Sequence, residues 1–119
     1  MKIRLQEHDG VVVIAADEGI MQEHVPILRS RFEELLLEGK TRIVLDMSGA
    51  TYLSSMGLAV IVDAKNRLSR VNGDIRMAGV NTLIMNLLTI TNLIKKIRVF
   101  DSVDLALCSF GEDDPMQGV

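Results

Sequence analysis

Tryptophan is absent, tyrosine occurs once and phenylalanine three times, so aromatic residues make up only 3% of the chain. The core must therefore be assembled from Leu, Ile, Val, Met and Ala. Surfaces that stack nucleic-acid bases carry several aromatics, and this chain has few to offer. The single cysteine, Cys108, cannot close an intramolecular disulfide and is too few for a structural zinc site. Histidine occurs twice, as His8 and His24, far apart in sequence. No apolar run approaches the ~20 residues that span a bilayer. Met1 to Asp9 alternates charged and apolar residues and lacks an apolar signal-peptide core, so a reducing cytoplasm is the simplest compartment. Positive charge is also short. Thirteen Lys and Arg stand against 16 Asp and Glu, for a net charge of −3 and a pI of about 5.3. A DNA-binding domain shows the opposite balance, and no direct contact with nucleic acid is expected.

What remains is a chain of 119 residues with 48% hydrophobic and 24% charged residues, the composition and size of one globular domain. Lys2 to Glu7 alternates with period 2, Asp9-Gly10 is a two-residue hairpin turn, and Val11 to Ile14 is a β-branched run. From Gln22 to Glu38 the period becomes helical, with Val25, Leu28, Phe32, Leu35 and Leu36 on one face, Pro26 early and Gly39 at the C-cap position. Thr41 to Asp46 reads as an inner parallel strand. Ser48 to Ser55 reads as a loop. A helix follows from Ser55 or Met56 to Val71, with Gly57, Ile61, Ala64, Leu68 and Val71 as its stripe. Asn72-Gly73 ends it, and Asp74 to Ala78 is the next strand. Asn81 or Thr82 caps a third helix with Leu83, Ile84, Leu87 and Leu88 on one face. Val99-Phe100 is an edge strand, and Asp101 caps a last helix. Alternating strands and helices predict a mostly parallel sheet with an antiparallel hairpin at its edge. Residues 1–110 form the domain, and 111–119 a flexible tail.

A search for catalytic machinery finds little. The phosphate-binding loop, the dinucleotide-binding glycine pattern, paired metal-ligand histidines and the nucleophile elbow are all missing. His8 and His24 have no sequence reason to meet a serine, and Cys108, among apolar neighbours, reads as packing filler. No enzyme activity, metal or cofactor is expected. The informative stretch runs from Val44 to Ile61, where a buried strand ends at Asp46 and a helix opens at Ser54-Ser55. One of these serines can serve as N-cap, a contribution of about 1 kcal/mol. The same position also suits a phosphate, because helix N-termini stabilise anions while the added charge changes the surface.

Here the chain resembles the STAS domain, the family of bacterial anti-sigma factor antagonists, from Met1 to about Cys108. Asp46 matches the acid that ends the family's strand. Ser54-Ser55-Met56-Gly57-Leu58 matches the Asp-Ser-Ser-Gly-Leu that opens its helix. Asn72-Gly73 with the strand to Gly79, and Asn92-Leu93 through Phe100-Asp101-Ser102, also match, with Asn92 in place of a glycine. The implied fold is a STAS-type α/β sandwich: a mixed, mostly parallel sheet with an N-terminal hairpin and about four α-helices. The implied function is a binding switch. The unphosphorylated protein would bind an anti-sigma factor that is also a serine kinase, and so release a sigma factor. Phosphorylation at Ser55, or alternatively at Ser54, would end the complex, and a phosphatase would reset it. ATP would belong to the kinase. Thr51, Tyr52, Leu53, Ser54, Ser55, Met56 and Gly57 would form the contact patch, with Asp17 a further contact or a residue that shapes its turn. The chain would be a monomer or weak dimer without a membrane span. Two positions depart from the pattern: Ser54 replaces an acid, and Met56 replaces a serine. These departures leave an alternative, a non-switching STAS scaffold or regulatory subunit in a sensory complex or on an ABC-transporter ATPase.

Overall fold

A computed structural model describes residues 2–112. The chain opens with a hairpin of β1 (Lys2–His8) and β2 (Val11–Ile20), turned at Asp9 and Gly10, which both take positive φ (51° and 82°). Two positive φ values in a two-residue turn match the twist of the strands they join. A short 3₁₀ turn at Gln22–His24 leads into α1 (Val25–Leu37), followed by β3 (Arg42–Asp46), β4 (Ala50–Leu53), α2 (Ser55–Ser69), β5 (Asp74–Ala78), α3 (Thr82–Ile90), β6 (Val99–Phe100) and α4 (Val103–Glu112). The strands lie in the order β1-β2-β3-β5-β6. β1 and β2 are antiparallel, and the remaining pairs are parallel.

The strand residues sort by parity onto two faces. Ile14, Ile43, Leu45, Ile75 and Met77 join Leu28 and Phe32 of α1, Ile61 and Leu68 of α2, and Ile84 and Leu88 of α3 in the main core. Val11, Val13, Val44 and Ala78 pack on the other face against Ala106 and Phe110 of α4. The mixed sheet, its hairpin and the four helices agree with the architecture expected from the sequence. Helix α1 ends as its Gly39 predicts. Gly39 takes φ +75°, its N–H donates to Leu36 and that of Lys40 to Leu35, so two end carbonyls are satisfied.

Several expectations need correction. Ser48 to Ser55 is not all loop: Ala50–Leu53 forms β4, which pairs in parallel with Glu18, Gly19 and Ile20. This is possible because β2 runs on to Ile20, past the hairpin, and offers its end to a second partner. Val71, expected on the buried stripe of α2, is exposed because the helix ends at Ser69. Leu83 is likewise exposed. The last helix is capped not by Asp101 but by Ser102, whose Oγ accepts the N–H of Leu105 at 3.2 Å. Cys108 is exposed, on the outer side of a helix that buries Ala106, Ser109 and Phe110. Helix α4 runs two residues past the expected domain limit, and the rest of the expected tail, 113–119, lies outside the described residues. No helix among the described residues is long and apolar enough to cross a membrane.

Candidate functional site

The site is built where the chain crosses from β3 to α2. Asp46 closes β3 and turns the chain: its Oδ1 accepts the backbone N–H of Ser48 at 3.0 Å and the Ser48 hydroxyl at 2.7 Å. The turn passes so close to Asp17 that a Cβ on Gly49 would lie 2.5 Å from Asp17 Oδ1. Glu18 donates its N–H to the Gly49 carbonyl at 2.8 Å, at a bulge where Glu18 takes φ +68°. Asp17 lies in β2 rather than in a turn, and accepts two hydrogen bonds from Arg4, at 3.0 and 3.1 Å. That hydrogen bonding, with the nearby charges of Asp17 and Asp46, raises the Arg4 guanidinium above its ordinary pKa. Asp17 thus holds Arg4 and leaves no room for a side chain at Gly49.

Strand β4 then divides its side chains. Ala50 and Leu53 are buried, whereas Thr51 and Tyr52 are exposed. Asn81, at the start of α3, donates from Nδ2 to the Thr51 carbonyl at 3.2 Å and, more weakly, to that of Ala50 at 3.4 Å. Its Oδ1 accepts the N–H of Ile84 at 2.8 Å, so one side chain caps α3 and holds β4. The sequence offers Asn81 or Thr82 as the cap; the tie to β4 depends on a tertiary approach that no local pattern reveals.

The two serines are placed differently. Ser54 is the N-cap: it has extended dihedrals, and its Oγ accepts the N–H of Gly57 at 3.0 Å. Its own N–H donates to Ile20 at 2.8 Å, and its side chain is enclosed, leaving the residue 8% exposed. Ser55 is the first helical residue and is exposed. Tyr52 and Met56 flank it, each 45% exposed. Of the residues expected in a contact patch, Thr51, Tyr52, Ser55 and Met56 face outward. Leu53, Ser54 and Gly57 do not, because they pin the helix start onto the end of β2. A Cβ on Gly57 would lie 2.8 Å from Ile20 Cγ2 and 3.1 Å from Leu53 Cδ1. Leu53 is buried because the expected loop is a strand. The histidines are engaged elsewhere: His24 Nδ1 accepts the N–H of Met21, and His8 pairs with Gln6. No group of three or more His, Cys, Asp or Glu among the described residues could hold a metal ion.

Fold and site together define a small α/β sandwich that presents one exposed serine at a helix N-terminus, between a tyrosine and a methionine. The chain belongs to the STAS domain family, which it matches over residues 2–106. The TM1081 homologue of Thermotoga neapolitana, provisionally assigned as an anti-sigma factor antagonist, is 27% identical over 100 residues, covering 83% of this chain and 88% of that one. The crystal structure of TM1081 from Thermotoga maritima superposes with a TM-score of 0.86 at 23% identity, over 90% of this chain and 92% of the other. The anti-sigma factor antagonist SpoIIAA in its unphosphorylated form gives 0.76 at 13% identity, over 95% and 100%. The phosphorylated form, from Bacillus, gives 0.74 at 14%, over 92% and 99%.

Proposed function

We propose that this protein is an anti-sigma factor antagonist switched by phosphorylation at Ser55. In its unmodified form it binds an anti-sigma factor that is also a serine kinase, and the sigma factor is released. The kinase supplies ATP and the catalytic groups, while this chain supplies the surface and the hydroxyl and acts in the cytoplasm without a cofactor of its own. A phosphatase resets it. The observation that carries this reading is the division of labour between adjacent serines: Ser54 is enclosed and engaged as a cap, and Ser55 is exposed beside Tyr52 and Met56.

The geometry explains how charge could switch binding without unfolding the domain. A phosphate on Ser55 would sit at the positive end of α2, where an anion is tolerated. It would add about −1.5 to −2 charges to a surface that buries Tyr52 and Met56 in the complex. Desolvating that charge, or setting it against a like charge, costs a few kcal/mol, and each ~1.4 kcal/mol is a factor of ten in affinity.

The test combines modification with binding. The protein is mixed with its anti-sigma factor kinase and ATP, and phosphate is located by mass spectrometry. Phosphate is expected on Ser55 alone. In pull-downs with the same kinase, Ser55→Ala should hold the partner and Ser55→Asp should bind at least ~100-fold more weakly. Equal binding by the two variants would overturn the charge switch, and phosphate on Ser54 would overturn the assignment of the acceptor.

A further inference from the structure

Strand β1 is exposed to an unusual degree. It lies at the end of the sheet, no other described strand pairs with its outer side, and six of its seven residues are exposed. Neither layer of helices covers it. On one face a groove of about 300 Å³ separates it from α1, with Leu5, Arg31, Glu34 and Lys40 in its walls. On the other face a groove of about 320 Å³ separates it from α4, between Arg4, His8, Asp104 and Leu107. Leu5, at the middle of the strand, is 42% exposed.

Unpaired edges are normally guarded by charged side chains that repel a second strand. Here two of those charges are tied back into their own chain. Arg4 is held by Asp17 in two hydrogen bonds, and Glu7 accepts from Lys40 at 2.9 Å, a contact that raises the lysine above its ordinary pKa.

We propose that β1 is a self-association edge, on which a second copy of this chain adds its own β1 in antiparallel register about a two-fold axis through Leu5. The two-residue turn at Asp9-Gly10 makes His8 and Val11 a hydrogen-bonded pair, so Lys2, Arg4, Gln6 and His8 commit their backbone groups to β2. Ile3, Leu5 and Glu7 therefore aim their N–H and C=O groups outward. A two-fold axis normal to the sheet places Leu5 opposite its own copy, Ile3 opposite Glu7, Arg4 opposite Gln6 and Lys2 opposite His8. The outward groups then meet as hydrogen-bonded pairs, and no Lys or Arg lies opposite another Lys or Arg, nor Glu opposite Glu. A slip of two residues in one direction would set Arg4 against Arg4. A slip in the other direction would shorten the ladder, and a slip of one residue would turn the faces over.

The five strands in line from each copy would then form one continuous sheet. Because β1 pairs antiparallel with its copy, the two helix starts that carry Ser55 lie at opposite ends of the joined sheet. Each copy keeps its serine surface open, so this inference does not depend on the switch proposed above. Strand pairing with little side-chain burial gives a weak dimer, at the micromolar to millimolar end of the affinity scale.

Sedimentation equilibrium over a concentration series tests it. Wild type should show a monomer–dimer equilibrium, and Leu5→Arg, which sets a cation against its own copy, should weaken association at least tenfold. A chain that stays monomeric to about 1 mM, or a Leu5→Arg variant that associates as well as wild type, overturns the proposal. A crosslink fixes the register. Hydrogen-bonded pairs place Cα atoms roughly 5.5 Å apart, within disulfide range. On a Cys108→Ser background, Leu5→Cys should oxidise to a covalent dimer faster than Leu37→Cys, whose position at the end of α1 is 89% exposed. Equal rates overturn the register.

Discussion

Gly57 decides how closely α2 can approach the sheet. The helix start rests on Ile20 and Leu53, and a methyl group at residue 57 would fall inside the contact distance of both. It would also lie 3.2 Å from the Ser54 oxygen that caps the helix. Elsewhere in a helix, Gly→Ala is stabilising by about 1 kcal/mol, because alanine is the better helix former. At residue 57 overpacking wins. Gly57→Ala should lose about 1–3 kcal/mol of unfolding free energy in urea, with the m-value unchanged. A variant as stable as wild type would mean that Ile20 and Leu53 yield easily and that glycine is not needed here. Asn92 is the milder case. It takes φ +65°, and asparagine is one of the few residues besides glycine that accept this conformation.

At the scale of elements, Asn81 joins two that are distant in sequence, as cap of α3 and as donor to β4. The two roles separate by substitution. Asn81→Asp keeps the oxygen for the Ile84 N–H but loses the donor to Thr51; Asn81→Ala loses both. The Ala variant should cost about 1 kcal/mol or more, the usual worth of a cap plus the tie to β4. The Asp variant should keep α3 intact and raise hydrogen exchange in residues 50–53 only. Equal exchange in β4 for the Asn81→Asp variant and wild-type protein would show that the strand does not depend on this donor. Elements carried by local chemistry were legible: the hairpin from Asp9-Gly10, the end of α1 from Gly39, and the caps of α2 and α3 from residue type, each as one of two neighbours (Ser54 or Ser55, Asn81 or Thr82) between which the structure chooses. Strand β4 was not. Its residues have no run long enough to declare a strand, and it exists because β2 extends past Asp17 and turns an edge toward it. The burial of Leu53 and Gly57 follows from that strand, so which side chains of residues 51–57 face outward was not legible in the sequence. Arg4, which braces Asp17, carries no sequence signal beyond alternation on an edge strand.

For the whole molecule, the question is what joins the layers on opposite faces of the sheet. One carboxylate does much of this. Asp74, the first residue of β5, accepts from Lys65 of α2, from the Ile75 N–H at 2.9 Å and from Arg76 Nε at 2.9 Å. Arg76 is buried, donates to Ser109 Oγ of α4 at 2.8 Å, and lies with its guanidinium 3.9 Å from the centroid of the Phe110 ring. Ser109 in turn donates to the Ala106 carbonyl at 2.6 Å. A chain of polar contacts thus runs from α2, through the sheet, to α4. Removing Asp74 takes one carboxylate contact from Lys65 and one from Arg76, which is buried. Loss of one partner from a buried pair costs about 3–5 kcal/mol, and Asp74→Ala should fall at the lower end because its side chain keeps 17% of its exposure. The loss should have a direction as well as a size. Helix α4 packs on a small cluster, of which Ala106 and Phe110 are its buried members, whereas α2 shares the large core with α1. The weaker layer should open first, so amides of 106–110 should lose protection from hydrogen exchange before those of 58–68. Uniform loss of protection would mean that the two faces unfold as one unit whatever joins them. The surface around Ser55 belongs to the α2 side of the sheet, so if the proposed function holds, the folded fraction of Asp74→Ala should still bind the kinase used in the pull-downs above.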